Sequence, residues 1–113
     1  MTLSELIYKT LSDAKIEAVY ESWYKQNIDK THAIFQKMEE RPQNYSDGGY
    51  EEIKHLYRFD VYANNVDDAE KMKLEIRIAL EKVGFSWQGT QFEYLYEIEH
   101  YHNSQKFELL EEK

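Results

Sequence analysis

Cysteine is absent from this chain of 113 residues, which excludes disulfides and thiolate metal sites and suits a reducing compartment. No apolar run approaches the roughly 20 residues of a membrane span. The N-terminal MTLSELIYKT carries Glu5 where a secretory signal would be basic, so the chain reads as soluble, not exported, with no membrane partner. Positive charge is scarce: 14 Lys and Arg against 22 Asp and Glu give a net charge of −8, which argues against read-out of nucleic acid. Catalytic motifs are missing too. There is no G-x-S-x-G and no S-x-x-K, Asp47-Gly48-Gly49 lacks the phosphate-loop frame, and the carboxylate pairs Glu39/Glu40 and Glu51/Glu52 are adjacent as on a solvated face. Neither an enzyme nor a cofactor is expected.

Aromatic residues are plentiful, with ten Tyr, five Phe and two Trp. Tyrosine gives rigid, amphipathic contact area of the kind found at interfaces. The most legible stretch is Leu56–Phe85. Tyr57, Phe59, Val61 and Ala63 alternate onto one face of a strand, and Asn64-Asn65 ends it. Asp67 with Glu70 forms a capping box. The helix that follows has a core stripe of Ala69, Met72, Ile76, Leu80 and Val83; Gly84 stops it and Phe85 folds back.

Around this unit the rest is shorter. Thr2 and Glu5 cap a helix over Thr2–Leu11 that packs on the sheet through Leu3, Leu6, Ile7 and Leu11, and Ser12-Asp13 is a turn. Ile16, Val19, Tyr20 and Trp23 have helical spacing, whereas Ile16, Ala18 and Tyr20 alternate as in a strand; spacing favours the helix. Thr31–Met38 is a short strand. Glu39–Gly49, with the only proline and two of the four glycines, reads as a long loop carrying Tyr45, with Tyr50 just beyond it. Ser86–Gln91 is a turn at Gly89. Phe92–Ile98 and Tyr101–Leu110 are strands, the last ending before Glu111. The order α-β-β-β-α-β-β predicts one α+β domain over residues 1–113, a mainly antiparallel sheet of four to five strands with two helices on one face.

His100 and His102 share a strand face, but zinc needs three or four convergent ligands, so they read as surface residues; His32 and His55 have no companions at motif distance. No metal site is expected. Leu74 and Ile78 lie on the helix opposite its core stripe, and Leu56 and Tyr62 on the strand face opposite Phe59. A two-layer domain of this size cannot cover both sides from within, which points to a surface buried by another subunit. Two other classes lack a positive motif: a ligand-binding or regulatory domain of ferredoxin-like type, and an acidic mimic of nucleic acid.

The run Tyr45-Ser46-Asp47-Gly48-Gly49-Tyr50-Glu51-Glu52-Ile53, the strand Leu56–Tyr62, the helix end Val83-Gly84-Phe85 and the closing Tyr94–Glu99 to Lys106-Phe107-Glu108 resemble small tail-terminator or tail-completion proteins of long-tailed bacteriophages and prophages. Ile16-Glu17-Ala18-Val19-Tyr20 is similar to that family's early strand, which tips the ambiguous segment towards strand. Ser46 stands where the family has Ala, and its proline near Glu17 is missing. The resemblance implies a virion tail protein without catalysis, made in the host cytoplasm. It would form a homo-oligomeric ring, a hexamer, that caps the tail tube and meets the head-side connector. A ring needs two unlike patches on each subunit. Leu74 and Ile78 are expected in one and the Arg41–Tyr50 segment in the other, with Arg41, Pro42, Tyr45, Asp47, Gly48 and Tyr50 its contact residues beside Leu56 and Tyr62.

Overall fold

Among the described residues two helices form because their ends are capped locally, and five strands pair because their apolar residues fall on one side. The computed structural model describes residues 2–16, 18–21, 31–46, 48–95 and 100–112. In chain order the elements are α1 (Leu3–Asp13), β1 (Val19–Glu21), β2 (His32–Ser46), β3 (Gly49–Ala63), α2 (Val66–Lys82), β4 (Ser86–Leu95) and β5 (His100–Glu112). The strands make one sheet in the order β1-β2-β3-β5-β4. β1 runs parallel to β2 and every other pair is antiparallel. β3 and β4 are therefore parallel to each other, with α2 as their crossover and β5 inserted between them. Both helices pack on one face, the α+β arrangement expected.

Thr2 caps α1 as expected, its Oγ1 accepting from the Glu5 N–H at 3.1 Å. The helix runs on through Ser12-Asp13, which is its last turn and not a separate one. Its end is closed by N–H groups of Lys15 and Ile16 donating to the carbonyls of Ser12 and Leu11, both at 2.9 Å. Lys15 takes the left-handed conformation, φ 60°, that this motif requires. α2 starts from Asn65, whose Oδ1 accepts from the Asp68 N–H at 2.8 Å. That corrects the Asp67–Glu70 box: Glu70 is held instead by Lys73 at 2.7 Å. Ala69, Met72, Ile76 and Leu80 are buried as expected, joined by Ala79. Val83 is an exposed cap because Gly84, at φ +102°, swings the chain away. Phe85 then folds back, its N–H donating to the Leu80 carbonyl at 3.1 Å.

Three boundaries differ from the sequence reading. Residues 39–46 continue β2 and pair with β3 down to Ser46↔Gly49, so the expected loop, with Arg41, Pro42 and Tyr45, is the outer half of a long hairpin. The cross-strand ladder outweighs the weak β preference of this polar run, with its irregularities absorbed by a bulge at Met38 and by Asn44 at φ 57°. Ser86–Gln91 is the start of β4, bulged where Gln88 and Gly89 face Lys106; Gly89 at φ +118° makes the bulge and not a turn. β5 runs two residues past Leu110, because Glu111 and Glu112 pair with Ile53 and Glu52. Between α1 and β2 the structure has the short strand β1, as the tail-protein resemblance implies and against the helical spacing, with Ala18 at φ 58° excluding a continuous helix. Trp23, Tyr96 and Ile98 lie outside the described residues.

The core is an aromatic row across the helix-facing side of the sheet. Phe35 stacks on Phe59 at 5.1 Å, and Phe107 meets Phe59 edge-on at 5.5 Å. Tyr8 of α1 packs edge-on to Phe35, and Phe85 closes on Tyr57. Each such pair contributes about 0.5–1.5 kcal/mol beyond its buried area. Ile7, Leu11, Ile76 and Leu80 fill the space below the helices. No described residue from Glu39 to Leu56 joins this cluster. The outer hairpin is an arm standing off the packed body, and it makes the molecule 53 Å long but only 27 by 23 Å across.

Candidate interaction surfaces

Leu74 and Ile78, one turn apart on the outer side of α2, are 50 % and 47 % exposed. They face different neighbours. Ile78 borders a groove of about 520 Å³ between the helices, floored by Leu6, Ile16 and Ala79 and edged by Lys9, Asp13, Glu75 and Lys82. Leu74 borders a cleft of about 570 Å³ between α2 and β4. The single patch read from helical spacing is thus two depressions on the flanks of one ridge.

The α2–β4 cleft holds the denser chemistry. The Arg77 guanidinium lies over the Trp87 ring at 4.0 Å and the Lys73 ammonium over the Phe92 ring at 4.7 Å. Arg77 is also tied to Glu81 at 3.1 Å, and Trp87 Nε1 donates to Thr90 at 3.2 Å. Gln105 and Asn103, buried residues of β5, donate their amides to the α2 carbonyls of Lys73 and Ala69 at 3.1 and 3.2 Å. Their acceptor atoms, Gln105 Oε1 and Asn103 Oδ1, are buried without a partner. Sequence patterning missed the cleft because Trp87 fell in the supposed turn, and Gln105 looked like an ordinary strand residue.

The arm carries most of the remaining expected contact residues. Tyr45, 72 % exposed, sits opposite Tyr50 one pair from the turn, and Gly48 is exposed beside them. Arg41 is exposed and paired with Glu39; Pro42 is exposed opposite Ile53. Asp47 lies outside the described residues. At the base of the arm His55, which has no companion at motif distance in the sequence, is buried between two carboxylates, with Nδ1 3.3 Å from Glu40 and Nε2 3.4 Å from Glu111. It links all three strands. The Glu40 carboxyl is held below its ordinary range, chiefly by its hydrogen bond with Lys37 and that residue's charge.

Leu56 and Tyr62 do lie on the face without helices, both half-buried. Tyr62 is sandwiched between His32 at 5.2 Å and His102 at 4.7 Å, a ring ladder across β2, β3 and β5. His32 therefore has a companion as well. His102 Nε2 is 2.8 Å from Asp60, which Arg58 also contacts at 2.9 Å. Burial would raise the Asp60 carboxyl, but the hydrogen bonds of His102 and Ser104 and the Arg58 charge outweigh it and hold the group below its ordinary value of 3.8. Burial, reinforced by Glu21 and Glu40, pushes the Tyr57 hydroxyl up. Among the described residues no group of three or more His, Asp or Glu could hold a metal ion, and no helix is long and apolar enough to cross a membrane.

No protein-family model matches the chain, and no curated protein does. Among solved structures it is similar to a chain of the virion of a native gene transfer agent (GTA) particle, at 14 % identity and a TM-score of 0.67, over 95 % of this chain and 92 % of that one. Helices, hairpin and sheet together are thus a fold that occurs in a virion component.

Proposed function

We propose that the chain is a structural protein of a phage-like virion, and within that class a tail-terminator or tail-completion protein. It works as one domain, without catalysis, and forms a homo-oligomeric ring, a hexamer, that caps the tail tube and meets the head-side connector. The observation that carries this reading is the likeness in fold, over nearly the whole chain, to a component of a gene transfer agent particle. The sequence resemblance to tail terminators supports the finer role. So does the pair of unlike surfaces, the flanks of α2 and the protruding arm, since a closed ring needs a heterologous interface.

Light scattering over a range of concentration tests it. The protein should form a closed oligomer, and Leu74→Glu with Ile78→Glu should reduce it to a monomer with an unchanged circular dichroism spectrum. A wild-type protein that stays monomeric at every concentration, and still does so when tail-tube protein is added, would remove the ring.

A further inference from the structure

Resting on the ring reading, we propose that Tyr45 at the tip of one copy's arm seats in the α2–β4 cleft of the next copy. Its ring then meets the Arg77 and Lys73 cations, and its phenolic O–H points towards Gln105.

Tyr45 is the most exposed large side chain among the described apolar and aromatic residues, and it stands where the arm ends. It cannot reach its own cleft. The tip is nine residues along β3 from Phe59, which pairs with Gln105 at the cleft, a separation of about 30 Å. An occupant of this kind must come from another molecule.

The cleft in turn asks for what a tyrosine has. Its walls are two cations already positioned over aromatic rings, which attract the face of a further ring. Leu74 and Phe92, 50 % and 62 % exposed, give apolar contact. Gln105 Oε1 is a buried acceptor without a donor, and such a group is costly until one arrives. Charge agrees. The cleft is lined by Lys71, Lys73 and Arg77 against Asp67 and Glu70, in a chain of net charge −8. On the arm Glu39, Glu40, Glu51 and Glu52 outnumber Arg41 and Lys54. An acidic arm entering a slightly basic cleft is a head-to-tail contact that repeats from copy to copy.

The free edge of β2 is a poorer means of joining copies. Beyond its short pairing with β1 it carries the Met38 bulge, Pro42 without an N–H and the left-handed Asn44, devices that prevent edge-to-edge addition.

Because the chain has no cysteine, disulfide trapping gives a clean test. A Tyr45→Cys, Leu74→Cys double variant, oxidised at high concentration, should form a ladder of covalent species beyond the dimer that collapses on reduction, and peptide mapping should find its disulfides joining position 45 of one copy to position 74 of the next, not like to like. Both positions are exposed, so the reduced variant should melt like wild type. As a second measurement, Tyr45→Ala mixed with Leu74→Glu should give dimers and nothing larger, since one intact arm then meets one intact cleft. A double-cysteine variant with no species above the dimer, or with disulfides only between like positions, overturns the proposal, and so does a mixture that stays monomeric. If the wild type is nonetheless a closed oligomer, the ring stands and uses another contact; if it is monomeric too, with and without tail-tube protein, both readings fall.

Discussion

Asp60 shows how much a single residue's role depends on partners that sequence cannot pair. On the sequence it is one polar residue in an aromatic strand; in the sheet it meets His102 from β5 and Arg58 from its own strand. Its carboxyl is lowered in the folded state, so the stability it contributes is present above the unfolded value of 3.8 and is lost as pH falls through the lower folded value. Asp60→Asn should therefore destabilise the protein by about 1.5–3 kcal/mol at pH 7, the range for a hydrogen bond to a charged group. The deficit should shrink in acid. Urea unfolding at several pH values checks this, and a deficit independent of pH would mean that packing, not ionisation, is the cause. His55 and His32 teach the same lesson: their companions come from other strands, beyond the reach of motif spacing. The aromatic core was legible because Tyr57, Phe59, Val61 and Ala63 alternate within one strand.

At the scale of elements, both helices were legible from their apolar spacing, and their ends less so. Asn65 breaks β3 and is also the cap of α2, one residue serving two neighbours. The hairpin was harder. Asp47-Gly48 is a strong signal for a two-residue turn, but the polar flanks Arg41–Asn44 hid the strand, which exists only because β3 pairs with it. The two helix ends share one motif and differ in one choice of residue. Gly84 takes the positive φ of α2's end without strain, whereas Lys15 takes it at α1's end with a Cβ that disfavours it. Lys15→Gly should thus stabilise the protein by about 0.5–1 kcal/mol, net of the entropy glycine adds to the unfolded chain. The increase in urea midpoint at an unchanged slope measures it, and a lower midpoint would mean that the Lys15 side chain makes a contact worth more than the strain.

For the whole molecule, α+β layering followed from the order of elements, but the insertion of β5 between β3 and β4, and the length of the arm, did not. Those are long-range pairings, and they determine which surfaces can meet. They also set a contest between two electrostatic effects during assembly. Copies of net charge −8 repel one another as wholes, while in the proposed contact the acidic arm and the cleft attract locally. Salt screens the first more than the second: the Debye length falls from about 30 Å at 0.01 M to about 8 Å at 0.15 M, shorter than this molecule but longer than a contact between packed side chains. Cations packed against rings are partly desolvated, and the proposed Tyr45 contact would be largely apolar, so neither should weaken much over that range. Self-association should accordingly strengthen between 0.01 and 0.15 M salt, read as a rise in weight-average mass by sedimentation at fixed concentration. A fall over the same range would mean that ion pairs between arm and cleft dominate the interface, and Arg77 and Lys73 would then be the residues to neutralise first.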